Sequence, residues 1–318
     1  MNGRERVLAF LDGRPVDRLC VAPITMMFAA QHAGVTYRRY TLEPDVLAEA
    51  QIRTAEDFGF DHVSAITETR EAPDCGAPVR YFDNQPYALD ETCSVLSDKS
   101  LLARLTFPDP LGGGRMHERV RAIARMKERT TGAMLVEGWV EGPCGASADL
   151  RGINRLMLDF YDDPAFVRGL LDFCLELALR FGRAQAEAGA DAIGVGDPAA
   201  SLVGPAVYRE FILDYQRRLV EGLHGFGLRV RLHVCGNTRR VLSDFATLGC
   251  DIIDIDSAVP IAVARKILGP GPCLLGGIDP VRALQDGTPE TVWQALAQCR
   301  ADAGERYIVG AGCEIPPG

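Results

Sequence analysis

The chain has 318 residues, a formal net charge of −9 and a pI near 5.2, with 47% hydrophobic and 24% charged residues. Such an acidic balance argues against nucleic acid and anionic membranes as partners, because both need Lys and Arg gathered on one face. No apolar run reaches the roughly 18 residues that span a bilayer, and the charged start Met1–Arg6 is unlike a signal peptide. A cytoplasmic location is expected. Ten cysteines without a CxxC pair then point to buried thiols and a few functional ones rather than to a disulfide framework.

Short apolar runs alternate with longer helical patterns along most of the chain. Strands are predicted at 19–23, 62–66, 133–137, 192–196, 230–235, 252–256, 273–277 and 307–310. Helical periodicity occupies 46–58, 116–128, 164–188, 205–223, 239–248, 261–268 and 289–303. Several of these stretches open on start signals, such as Asp163 before Pro164 and Thr288 before Pro289. Eight strands separated by helices need right-handed parallel crossovers, which predicts a single α/β domain over 1–318, a TIM-type (β/α)8 barrel. Residues 71–110 break the rhythm with five prolines and predict a βα insertion carrying a hairpin over the barrel mouth. No helix follows the eighth strand before Gly318, which favours truncation, and a barrel face left uncovered there favours a homodimer.

Polar residues collect at the C-terminal ends of the predicted strands, the face on which barrel active sites are built. They are Glu137 and Glu141, Asp197, His233 and Cys235, Asp256, Asp279, and Cys313. His233-Val234-Cys235 places an imidazole and a thiol at i and i+2 of one strand, hence on one side. With Cys313 they form a donor set suited to Zn²⁺, and three protein ligands leave one position open, as catalytic sites do. The spacing alone does not separate such a site from coincidence.

The segments Leu232–Thr238, Asp251–Asp256, Gly276–Pro280 and Gly310–Pro316 resemble the uroporphyrinogen decarboxylase superfamily, more narrowly its methylcobamide:coenzyme M methyltransferase branch. The resemblance implies zinc on His233, Cys235 and Cys313, where it activates a thiol that takes a methyl group from a corrinoid carried by a partner protein. It leaves Glu137, Asp197 and Asp256 as candidate catalytic carboxylates, which orient the acceptor or fill the fourth zinc position, or else cap helices on the rim. Asn237 and Met26 are candidate cofactor-binding residues, with capping and barrel-mouth packing as their alternatives. The acceptor is a small molecule: coenzyme M or another thiol such as homocysteine, or tetrahydrofolate. The decarboxylases themselves resemble one another in an arginine-rich N-terminal signature and a last-strand histidine, where this chain has Ala22–Phe28 and Cys313. Two alternatives stay open. One is a decarboxylase-like lyase acting on another carboxylated substrate. The other is a non-catalytic barrel whose zinc is closed by Asp256 or Glu314.

Overall fold

The computed structural model describes residues 1–68 and 71–317. Its strands are β1 (His62–Ser64), β2 (Val79–Arg80), β3 (Ala88–Leu89), β4 (Leu135–Glu141), β5 (Ala192–Gly196), β6 (Arg229–His233), β7 (Ile252–Ile255), β8 (Cys273–Gly276) and β9 (Tyr307–Ile308). All but β2 and β3 join in one curled parallel sheet in the order β1-β4-β5-β6-β7-β8-β9. Helices such as Pro44–Phe58, Arg115–Thr130 and Pro164–Glu187 cover its outer face. This is the predicted α/β barrel architecture.

The strand expected at 19–23 is reduced to one bridge, Val21 with Val309. Ala22 N–H donates to Val309 and Val309 N–H to Cys20, while Asp61 N–H reaches Val21 on the other side. The ladder stays short because Pro23 has no N–H and because the Asp61 carboxylate, rather than a carbonyl, accepts from Val21 N–H at 2.8 Å. Asp61 also binds Arg18 and Arg6, so one buried carboxylate ties the β9 and β1 edges together. The helix expected at 239–248 is confined to Leu242–Phe245. The predicted insertion hairpin is present as β2 and β3. Leu96 anchors the rest of that segment by donating to Leu150, on the flank of helix Pro143–Arg151. No helix of the described residues is long and apolar enough to cross a membrane.

Residues of alternate parity face outward under the helices, as Val63, Val136, Ile193, Val230, Leu232, Ile253 and Leu274 do. The inward set forms layers. Leu135, Ala192, Ile252, Cys273 and Ile308 make an apolar floor. Above it lies a polar layer of His62, Ser64, Glu137, Arg231 and Asp254, all buried. Trp139 fits beside Arg231 because its register neighbour is Gly194, where a Cβ would stand 2.4 Å from the indole. Gly194→Ala is therefore expected to destabilise the fold by about 1–3 kcal/mol, the usual range for overpacking, measured by urea unfolding.

Candidate metal centre

β6 ends at His233, and Cys235 lies just beyond the ladder. The expectation that both side chains leave one strand is corrected accordingly. They meet because the chain turns at Gly236, whose φ of +87° is closed to most L-residues. Asp256 secures this turn: one oxygen accepts from Gly236 N–H at 2.8 Å and the other from Ala258 N–H at 2.8 Å. Cys313 arrives on the loop after β9. His233 Nε2 stands 3.0 Å from Cys235 Sγ and 3.8 Å from Cys313 Sγ, and the sulfurs are 3.9 Å apart. A tetrahedral zinc bound at about 2.3 Å would hold two sulfurs about 3.8 Å apart, so this spacing fits the ion. Among the described residues, these three are the only His, Cys, Asp or Glu donors close enough to share one metal.

Protons are unevenly divided within the trio. The contact with Cys235 brings the Cys313 thiol down to about 5, against burial and with help from His233. The same contact, together with burial, pushes Cys235 well above the ordinary thiol value. Burial alone would lower His233, but the Asp254 carboxylate and Cys313 raise it to about 10.

The three candidate carboxylates do not converge on this group. Asp256 is engaged by the turn. Glu137 sits inside the barrel, where its Oε2 accepts from Trp139 Nε1 at 3.1 Å and Ser64 Oγ at 3.2 Å and faces Arg231 at 3.5 Å. Asp197, fully buried, accepts from Gly145 N–H at 2.6 Å and Gln216 Nε2 at 2.8 Å, at the start of helix Pro143–Arg151. Asn237 is exposed and accepts from Arg239 N–H, closing a turn rather than starting a helix. Met26 packs with Ile24, Ile66 and Trp139 at the barrel mouth.

Asp254 escaped sequence reading, and Glu314 entered it only as a ligand closing a scaffold site. Asp254 Oδ2 lies 3.2 Å from His233 Nδ1 and is held by Arg231, and the opposing effects of burial and these cations leave it below the usual carboxylate range. A charged residue within Ile252-Ile-Asp-Ile255, on the same face as Asp256, was the available signal. Glu314, next to Cys313, accepts from Met27 N–H at 2.7 Å, and burial pushes it up to about 7.

Burial likewise pushes Asp197 up to about 6, against its hydrogen bonds. The folded state thus holds this proton more tightly than the unfolded one, whose aspartate has a pKa of about 3.9. The group's contribution is fully present below about pH 4 and is lost as pH rises through 6. Asp197→Asn is expected to flatten that part of the stability profile, read as the difference in urea midpoints from wild type between pH 4 and 7.

A family model described as Uroporphyrinogen decarboxylase (URO-D) matches residues 2–318. A methylcobamide:CoM methyltransferase, MtbA of Methanosarcina mazei, is 27% identical over 98% of this chain and 92% of its own length. MtaA of Methanosarcina barkeri, also named a methylcobamide:CoM methyltransferase, is 27% identical over 99% of this chain and 93% of its own length. A solved methyltransferase from Methanosarcina mazei superposes with a TM-score of 0.90 at 21% identity, over 100% of this chain and 94% of that one. One family model spans the barrel and the loops that carry His233, Cys235 and Cys313, and the chain belongs to the uroporphyrinogen decarboxylase family.

Proposed function

We propose that this protein is a zinc-dependent methyltransferase that moves a methyl group between a corrinoid, carried by a partner protein, and a small thiol. The observation that carries the reading is the convergence of His233 Nε2, Cys235 Sγ and Cys313 Sγ at the C-terminal mouth of the barrel. The names of the methylcobamide:CoM methyltransferase relatives supply the reaction class, and a methylated-thiol–coenzyme M methyltransferase, 27% identical over 67% of this chain, adds the thiol.

His233, Cys235 and Cys313 would hold the zinc, and three protein donors leave a position for the acceptor. The bound ion would supply charge that keeps an acceptor thiol deprotonated at neutral pH. Asp256 fixes the Cys235–Gly236 turn, so that one thiol keeps its aim. Met26, on Ile24, Ile66 and Trp139, offers an apolar wall at the mouth that suits a methyl group. A closed four-ligand scaffold fits less well, since Asp256 gives both oxygens, and Glu314 one of its two, to backbone N–H groups.

The purified protein should contain about one zinc per chain, as a three-ligand site binds. Cys235→Ser and Cys313→Ser should both lose it while circular dichroism stays unchanged. Methyl transfer from methylcobalamin to a thiol should fall by about 100-fold or more on chelation and return with zinc. A folded protein without zinc, or activity indifferent to its removal, would move the lyase reading to the front. Because the ligands must shed their protons to bind, zinc affinity is further expected to fall as pH drops below neutrality, checked by chelator competition.

A further inference from the structure

Beneath the metal group the barrel interior carries more charge than packing requires. Arg231 is 1% exposed, Asp254 and Glu137 each 3%. Ion pairs buried this deeply are costly to desolvate, and apolar replacements of similar shape are often neutral or stabilising. Stability therefore does not account for them, and the geometry gives them another task.

We propose that Asp254, clamped by Arg231 and Glu137, is the positioning residue that turns the His233 imidazole so that Nε2 faces the metal. Register sets His233 on β6 directly opposite Asp254 on β7, and Asp254 Oδ2 meets Nδ1 at 3.2 Å while Nε2 faces the two sulfurs. Arg231 grips that same oxygen through Nε at 3.0 Å and Nη2 at 2.5 Å, and its Nη1 binds Ala22 O at 3.3 Å. Nη1 also faces Glu137, which is in turn fixed by the Trp139 indole and Ser64. Each member is held by the next, and the line ends on backbone and a packed ring rather than in water. Asp254 Oδ1 and His233 Nδ1 are both buried without a hydrogen-bond partner, so the Oδ2–Nδ1 approach is an ion-pair contact, with the carboxylate turned to give Oδ2 to Arg231 and the imidazole. A carboxylate behind a ligating imidazole fixes the tautomer and strengthens the nitrogen as a donor.

The inference rests on the zinc reading, and wild-type protein separates the two. Zinc affinity by chelator competition, the visible spectrum of the Co²⁺-loaded protein, and the melting temperature with and without metal are measured for wild type, Asp254→Asn and Glu137→Gln. Asp254→Asn leaves Arg231 with Glu137 as its one carboxylate, so its metal-free melting temperature should fall, as it does when one partner of a buried pair is removed. Its zinc affinity should fall about 10–100-fold, its Co²⁺ bands should shift, and the gain in melting temperature on metal binding should shrink. Glu137→Gln, which keeps the shape and leaves the ligand contact untouched, should weaken zinc in the same direction by a smaller factor, about 2–10-fold. That second variant decides the matter if the first does not fold. Affinity within twofold of wild type and an unshifted Co²⁺ spectrum in the folded variants would overturn the positioning role and leave the zinc reading standing. Wild-type protein that binds neither metal overturns both.

Discussion

A guanidinium keeps its charge at any pH a protein meets, and Arg231 carries one at the centre of the barrel, 1% exposed. The layer around it has to answer that charge. Asp254 comes from β7 and Glu137 from β4, one on each side, and the Trp139 ring lies 5.5 Å from the guanidinium. The ring needs the space that Gly194 leaves. Glu137, with its charge drawn into the interior, then requires donors, and the Trp139 indole and Ser64 supply them. Ser64, Glu137 and Asp254 thus answer one buried cation, and the top of that layer is the carboxylate that faces His233.

The seam of the barrel matters for a different reason. His233 and Cys235 lie at the tip of β6, deep in the sheet, whereas Cys313 lies beyond β9, at its edge. Two sulfurs 78 positions apart in sequence stay 3.9 Å apart only if that edge is fixed. The single Val21–Val309 bridge would hold it weakly alone. Asp61 adds the missing contacts, accepting from Val21 and from two arginines at once. Nearer the mouth, Gly312 N–H donates to Ile278 and Ile315 N–H to Ile24, so backbone bonds on either side of Cys313 hold its loop.

Sequence reading singled out the trio that the structure brings together because a histidine and a cysteine two apart at a strand end are a local signal, and a family resemblance tied them to Cys313. It reached seven of the strands because runs such as Ala-Ile-Gly-Val-Gly over β5 leave little choice of structure. It overextended where local pattern and tertiary demand part company. The 19–23 run is apolar enough for a strand, but a side chain, Asp61, takes the place of a backbone acceptor. Arg239–Leu248 has helical spacing, yet the chain first spends Asn237 and Thr238 on turns out of the metal loop. Carboxylates were the hardest. Asp197 and Asp256 sit where catalytic groups sit, and only hydrogen bonds reveal that their oxygens are already taken, by Gly145 N–H and the Gln216 amide for the first and by two backbone amides for the second.

The surroundings of the trio bear on how such a site would be built. Burial alone would lower His233 and raises both thiols, so it is not what brings these groups together. Backbone does that: β6 carries His233, the Gly236 turn aims Cys235, and Gly312 and Ile315 donate to Ile278 and Ile24 on either side of Cys313. On the proposed zinc reading, an ion would meet donors already gathered, with no need to draw in distant side chains. Asp254, 3.2 Å behind Nδ1 and held by Arg231, would then be the charge against which the imidazole is set. Placement of the donors and retention of the metal would thus rest on different parts of the barrel, the loops at its mouth and the buried carboxylate beneath.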